Sequence, residues 1–272
     1  HVEGLKAIGW TDEDIAYYQA NGVNWNEEDD QYHKVPEDNI ALYGVITTSN
    51  ISTYTDRIVY LPKIDTSGLT SMSSMFYNCY SLVSIPQLDT SSVTSMGAMF
   101  RHCYSLGSIP QLDTSSVTSM NYMFNGCYSL VSIPQLDTSS VTGMVSMFSD
   151  CYSLVSIPQL DTSRVKDMSY MFNSCYSLVS IPQLNTSSVT NMNYMFGCCY
   201  SIQTSYLNDI KKALEINKTS LLTKDSLLYI INNEAATSAI TIKLNAYCYN
   251  KYSADADVVA ALSNHPNISL AK

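Results

Sequence analysis

The sequence predicts an α/β repeat solenoid in which each coil contains a short parallel strand and a short helix. Two observations lead to this prediction. The 24-residue motif L-D-T-S-S-V-T-S-M-x-x-M-F-x-x-C-Y-S-L-V-S-I-P-Q occurs in six tandem copies, and all six phenylalanines and twelve methionines fall inside them at a fixed phase. A fixed period of this length indicates coils that stack and contact mainly their neighbours. The copies begin at Ile64, Leu88, Leu112, Leu136, Leu160 and Leu184.

The segment around the methionines has the apolar spacing of a short helix. In the first copy the residues at positions i, i+3, i+4 and i+7 are Met72, Met75, Phe76 and Cys79. This spacing places them on one stripe of a helix. Thr70 or Ser71 could cap its start, because a side-chain oxygen there satisfies an unpaired backbone N–H.

The strand of each coil is predicted directly after this helix. In the first copy it covers residues 81–85, and Pro86 follows. Proline has no N–H and interrupts a ladder of backbone hydrogen bonds, so it predicts the end of the strand. The oxygen-rich residues 89–92 then form a turn. Each coil is therefore predicted to close as strand, turn, helix and strand.

Six of the eight cysteines recur at the same phase, and we interpret them as buried free thiols. Equivalent side chains on stacked coils point in parallel directions, which does not suit the torsion of a disulfide. A zinc site is not favoured, because no C-x-x-C spacing is present. The vicinal pair Cys198–Cys199 is interpreted as a chance substitution. The six are Cys79, Cys103, Cys127, Cys151, Cys175 and Cys199.

Among the copies, the two residues between the methionines and the two residues before the cysteine change freely, which predicts that these positions face solvent. By contrast, the tyrosine after each cysteine never changes. It either packs the corner of the coil with its hydroxyl in water, or forms an aromatic stripe that contacts a glycan or protein. These candidate binding residues are Tyr80, Tyr104, Tyr128, Tyr152, Tyr176 and Tyr200.

The flanks are predicted to be small α+β caps, giving a cap or attachment segment at 1–59, a six-coil solenoid at 60–207 and an α/β cap at 208–272. In the first, Thr11 and Asp14 form a possible capping box that opens a helix. In the last, residues 221–231 and 255–263 are predicted to be helices, and 239–244 and 268–271 strands.

Composition excludes several classes of function. The net charge of −10 argues against a nucleic-acid partner. No apolar run reaches the ~18–20 residues of a membrane-spanning helix. The chain begins at His1 without a signal-like segment, so we expect that something, such as a secretion signal, has been trimmed.

The sequence does not predict an enzyme or a cofactor. It contains no G-x-S-x-G or H-E-x-x-H motif and no glycine loop for phosphate. The aspartates that recur once per coil, from Asp65 to Asp161, are interpreted as turn residues. The only candidate for a hard cation such as calcium is an alternating oxygen-rich stretch, and a solvated acidic loop is the alternative. That stretch contains Asn24, Asn26, Glu28 and Asp30.

The phrase D-T-S-x-V-T-x-M-x-x-M-F-x-x-C-x-S-L-x-x-I-P closely resembles the BspA-like leucine-rich-repeat surface proteins of gut and oral bacteria. The resemblance covers residues 60–207. It implies a leucine-rich-repeat-like fold and a secreted or surface-attached protein, and several such proteins are linked to adhesion. Similar arrays occur in phages of those bacteria, where they resemble tail or baseplate modules. The resemblance also suggests an origin in gut Bacteroidales or their phages.

Three hypotheses follow for function. The first is a non-catalytic recognition or adhesion protein on a bacterial surface that binds a host or microbial protein or glycan through the solenoid. The second is a phage tail or baseplate component that binds a receptor or acts as an adaptor. This second hypothesis predicts a homo-oligomer formed through residues 1–59, because virion appendages are symmetric. The third is a structural spacer.

Overall fold

The structure is a computed structural model. It describes residues 58–61, 64–208, 214–216, 222–233 and 239–272, together with Lys6, 11–13, 15–16, Thr48, Ile51 and Thr55.

The six copies form a stacked repeat solenoid, as predicted. Equivalent residues of successive coils pair in parallel at a constant offset of one repeat, which makes each coil one layer of the stack. The pairs that show this are Ser71 with Ser95, Ser95 with Ser119, Ser119 with Gly143, Gly143 with Asp167, and Asp167 with Asn191. The repeat solenoid is therefore confirmed.

The predicted helix of each coil is not formed. Residues 71–79 instead make a series of tight turns, in which N–H groups donate to the carbonyl three residues earlier, as from Met75 to Met72 at 3.2 Å. Ser74 and Asn78 in this segment have left-handed backbone conformations, with φ of 59° and 63°. We call this segment and its equivalents in later coils the turn ribbon.

Hydrogen bonds between coils explain why the turn ribbon replaces the helix. The N–H of Ser74 donates to the carbonyl of Gly97 at 2.9 Å, and that of Phe76 to the carbonyl of Met99 at 2.9 Å. A helix would use these N–H groups within one coil. The apolar spacing did not distinguish the two structures, because a ribbon of tight turns also places those side chains on its inner side.

The predicted strands are mostly irregular, and the longest ladder lies at the last coil. There β1 (Ser180–Asn185) pairs in parallel with β2 (Thr204–Asn208). The prediction that proline ends the strand is wrong, since β1 continues through Pro182. The register slips at that residue, so that Ile181 pairs with Ser205 while Gln183 pairs with Tyr206. Proline has no N–H to pair, which suits it to such an irregularity.

The core of the solenoid contains a continuous stack of phenylalanines. Neighbouring rings lie nearly parallel, with centroids 5.4–5.8 Å apart. Each ring is at most 1% exposed, so every coil depends on its neighbours for burial. The stack consists of Phe76, Phe100, Phe124, Phe148, Phe172 and Phe196.

The C-terminal residues form a small parallel sheet with three helices. The elements are β3 (Leu214–Ile216), α1 (Lys224–Asn232), β4 (Ile240–Leu244), α2 (Ala246–Tyr252), α3 (Ala256–Asn264) and β5 (Ile268–Ala271), and the sheet order is β3-β4-β5. The structure agrees with the predictions of α1, β4, α3 and β5, whereas β3 and α2 were missed. Helix α1 packs against β2 of the last coil.

At the N-terminus, residues 12–13 and 15–16 are helical, as the capping-box prediction expects. Asp14, the second residue of that box, lies outside the described residues. The division of the chain into a cap, a solenoid and a second cap stays a prediction.

Candidate functional site

The six tyrosines predicted to bind a partner form one continuous stack along the solenoid, which we call the tyrosine ladder. From Tyr80 to Tyr200, successive ring centroids are 4.9, 4.4, 4.5, 4.8 and 5.7 Å apart. The rings are tilted by at most 27° from one another. The faces of the inner rings are therefore covered by their neighbours, and the ladder presents ring edges and hydroxyls.

The backbone at the end of the turn ribbon positions each tyrosine. The preceding cysteine side chain is buried, so the next side chain points outward. The N–H of Ser105 donates to the carbonyl of Tyr80 at 3.2 Å, and the same link repeats from Ser129 to Tyr104 at 3.1 Å. Partial burial raises the pKa of Tyr104 and its next two ladder neighbours, so these hydroxyls are neutral donors at pH 7.

Side chains of the turn ribbon extend this surface beyond the tyrosine ladder. The ring of His102 lies 5.9 Å from Tyr104 and 5.7 Å from Tyr77, measured between centroids. The Arg101 guanidinium lies 5.7 Å from the ring centroid of Tyr77 and 5.1 Å from that of Tyr122. We call the ladder and the outward side chains of the turn ribbon the turn face.

The turn face carries few charges in this region. Burial lowers the pKa of His102, and the adjacent Arg101 lowers it further, so the imidazole is neutral at pH 7. Asn125 accepts a hydrogen bond from Nε of Arg101 at 3.1 Å, and its amide lies 3.5 Å from a carboxylate oxygen of Asp150. Asn125 thus joins the Arg101 guanidinium and the Asp150 carboxylate in one hydrogen-bonded network.

The prediction that the variable positions face solvent is only partly right. Six of them are buried: Asn125, Gly126, Ser146, Ser149, Ser169 and Ser174. The sequence reasoning also missed that half of the variable positions have left-handed backbone conformations. The signal for this was the presence of Asn78, Gly126 and Asp150 at one of these positions, because such residues tolerate positive φ.

The cysteines are free thiols, and the six at the repeat phase are all buried, as interpreted from the sequence. Of these six, each thiol after that of Cys79 donates to a phenylalanine carbonyl of the preceding coil, as from Cys127 to Phe100 at 3.1 Å. Burial raises the pKa of Cys79 and of Cys199 to about 12. These cysteines are therefore structural.

Thiol accessibility leads to a direct prediction. Among the eight cysteines only Cys198 is partly exposed, and reactivity requires both access and the thiolate form. We expect Ellman's reagent to titrate one thiol per native chain and eight in denaturant. Cys198→Ser should abolish the native reaction. Rapid native reaction of several thiols would contradict the packing described.

The recurring aspartates are turn residues, as interpreted. In the second coil, Asp89 accepts hydrogen bonds from the backbone N–H of Ser91 at 3.0 Å and from its hydroxyl at 2.7 Å. These two bonds lower the pKa of Asp89. The same arrangement recurs at Asp65, Asp113 and Asp137.

The candidate cation stretch from Asn24 to Asp30 lies outside the described residues. Within the part of the chain that the structure describes, no group of three His, Cys, Asp or Glu side chains is placed to hold a metal ion. In that same part, no helix has the length and apolar character needed to span a membrane.

Comparison with known proteins identifies the repeats. A family model described as "Mycoplasma protein of unknown function, DUF285" matches residues 48–155 and 106–210. The crystal structure of a leucine-rich repeat protein of T. pallidum (TpLRR) is similar over 69% of this chain and 75% of that chain, with 20% identity and a TM-score of 0.35. That likeness is too loose to carry a conclusion about function. No curated protein matches the chain. An origin in Bacteroidales or phages stays a prediction.

Proposed function

The chain belongs to the family described as "Mycoplasma protein of unknown function, DUF285", and we propose that it is a non-catalytic recognition protein that binds another protein through its turn face. Repeat arrays of this kind are typically non-catalytic, and they offer a long regular surface for binding. The observation that carries the proposal is the tyrosine ladder, an aromatic stripe that crosses all six coils, exposed at Tyr80, Tyr176 and Tyr200 and half-buried between them.

The stacking of the ladder favours a protein partner over a glycan. A sugar that stacks on an aromatic residue needs the face of the ring. In the ladder, Tyr128 lies between Tyr104 at 4.4 Å and Tyr152 at 4.5 Å, which leaves no room for a sugar. Ring edges and hydroxyls remain available, and these suit hydrogen bonding and packing against a protein surface.

The composition of the turn face supports the same partner. Tyrosine, serine and asparagine dominate it, with Arg101 in the second coil and Asp150 in the fourth. These residue types are enriched in the loops with which antibodies bind proteins. Stacking also holds the rings in place before binding, so less side-chain entropy is lost when a partner binds.

We further propose that binding takes place outside a bacterial cell, following the resemblance to BspA-like surface proteins. A role as a virion component remains the competing hypothesis. It predicts a homo-oligomer formed through residues 1–59, and a strictly monomeric full-length protein would count against it.

Substitution of the ladder tests the proposal. We expect the protein to bind at least one member of a panel of immobilised fibronectin, laminin, type I collagen and mucin in surface plasmon resonance. A variant with Tyr104→Ser, Tyr128→Ser and Tyr152→Ser should weaken that binding by about tenfold or more, since each 1.4 kcal/mol lost is a factor of about ten.

The matched control changes an exposed row of threonines in the same coils. A variant with Thr94→Ala, Thr118→Ala and Thr142→Ala should bind as the wild type does. Thermal melts of both variants check that the solenoid is intact. Equal losses in the two variants, or no binding to any panel member, would contradict the proposal.

A further inference from the structure

A second row of side chains on the turn face has rings in the third, fifth and sixth coils, and the fourth coil forms a gap between them. Its members all have left-handed backbone conformations, with φ between 51° and 60°. We call it the left-handed row. In order from the first coil it consists of Ser74, Ala98, Tyr122, Ser146, Tyr170 and Tyr194.

The rings on either side of the gap are already covered on their outer faces. The guanidinium of Arg101 in the second coil lies 5.1 Å from the ring centroid of Tyr122 in the third. Tyr170 in the fifth coil stacks on Tyr194 in the sixth, with centroids 5.1 Å apart and planes 21° apart. The faces of Tyr122 and Tyr170 toward the fourth coil remain, and that coil contributes only Ser146.

Positions two coils apart in the solenoid can hold one aromatic ring between them. In the tyrosine ladder, Tyr104 and Tyr152 are also two coils apart, and Tyr128 fits between them at 4.4 and 4.5 Å. In the left-handed row the corresponding middle position is Ser146, a short side chain that is 7% exposed.

Backbone strain indicates that the rings of the left-handed row serve something other than folding. A bulky residue at positive φ is unusual, because its Cβ is crowded. Tyr122, Tyr170 and Tyr194 are nevertheless there, and they are 37%, 41% and 55% exposed, so burial recovers little of the strain. Glycine adopts this conformation without that crowding, as Gly126 does at the other left-handed position of the third coil, with φ of 77°. Strained, exposed residues of this kind are characteristic of functional sites.

We propose that the slot between Tyr122 and Tyr170, above Ser146, binds one aromatic side chain of the partner protein. The inserted ring completes the interrupted stack and lies between two tyrosine faces, an arrangement that aromatic pairs favour. Its position within the turn face makes it an anchor for the interface, since anchors are commonly aromatic residues seated in a pocket. The inference rests on the proposed function for its partner class, but the slot itself can be tested separately.

The test uses a small aromatic probe instead of a partner. We expect N-acetyl-L-tryptophanamide to bind with a Kd of ~1 mM or a few times weaker, as suits one stacked ring. Saturable chemical-shift changes in NMR spectra should centre on Tyr122, Ser146 and Tyr170. The aliphatic analogue N-acetyl-L-leucinamide, at the same concentration, should produce no saturable change at these residues.

A substitution that fills the slot provides the decisive variant. Ser146→Tyr should fold, because tyrosine occupies the same position in three other coils, and it should weaken probe binding by about tenfold or more. Ser146→Ala keeps the slot open and should bind the probe as the wild type does. If Ser146→Tyr does not fold, Tyr122→Leu removes one wall and should give the same loss.

Absence of saturable shifts, or equal binding to wild type and Ser146→Tyr, would overturn the slot. This outcome can be distinguished from a failure of the proposed function, because the proposed function is tested by the binding of ladder variants to whole proteins. Panel binding without probe binding overturns the slot alone. Probe binding without panel binding overturns the proposed function and leaves the slot as an aromatic site.

Discussion

We expect the protein to unfold between about pH 9 and pH 11, because its core contains a column of thiols that cannot ionise while buried. Burial raises the pKa of Cys79 and Cys199 to about 12, and it raises the pKa of the four cysteines between them well above the ordinary range. In the unfolded chain these thiols ionise near pH 8.5.

The sign and size of this effect follow from linkage. Below about pH 8.5 both states hold the thiol protons, and the stability is fully present. Above that value the unfolded chain releases protons that the native chain retains, so the free energy of unfolding falls with rising pH. Each thiol contributes a slope approaching about 1.4 kcal/mol per pH unit, and six give about 8 kcal/mol per unit. At that slope, a free energy of unfolding of about 5–15 kcal/mol falls to zero within about two pH units.

The measurement is urea unfolding at several pH values from 8 to 10.5 under reducing conditions. A variant with Cys127→Ala and Cys151→Ala should show a slope smaller by about a third at matched pH, since two of six titrating groups are absent. This variant leaves every tyrosine unchanged, so the change in slope reports on the thiols. A free energy of unfolding that is constant across this pH range would contradict the buried thiol column.

The second large effect is expected from the middle of the phenylalanine stack. Phe148 is 0% exposed and stacks on Phe124 at 5.6 Å and Phe172 at 5.7 Å. Phe148→Ala should destabilise the protein by about 3–5 kcal/mol, because the lost burial is accompanied by a cavity. Coils interact only with neighbours, so the loss weakens two interfaces at once.

Phe196→Ala is the matched control for that prediction. Phe196 ends the stack and contacts only Phe172 among the stacked rings, at 5.8 Å. We expect its substitution to cost less than that of Phe148 in urea unfolding followed by circular dichroism. Equal losses at the two positions would argue against stacking between coils as the source of stability.

The sequence predicted those features that repeat identically in every coil. The 24-residue period identified the stacking, and the constant apolar positions identified the core. The spacing of Met72, Met75 and Phe76 was nevertheless misinterpreted as a helix. The carbonyl to which each N–H donates depends on the neighbouring coil. The pattern within one copy carries no information about that carbonyl.

The candidate site was predicted only in part. The constant tyrosines predicted the ladder, because an invariant aromatic residue stands out against variable neighbours. The slot above Ser146 was not predicted, since it depends on positive φ at Tyr122 and Tyr170 and on what their outer faces contact. Comparing the copies would not have indicated the left-handed row, because its members are serine, alanine and tyrosine, which are not typical of left-handed conformations.

Photocross-linking tests most directly whether the turn face is the recognition surface. p-Benzoyl-L-phenylalanine would be placed at Ser129, next to Tyr128 in the ladder, or at Ser116 in the aspartate turn of the same coil. Both serines are exposed. With a bound panel protein such as fibronectin, the account predicts cross-links from Ser129 and none from Ser116. Cross-links from Ser116 alone, or equally from both, would contradict it.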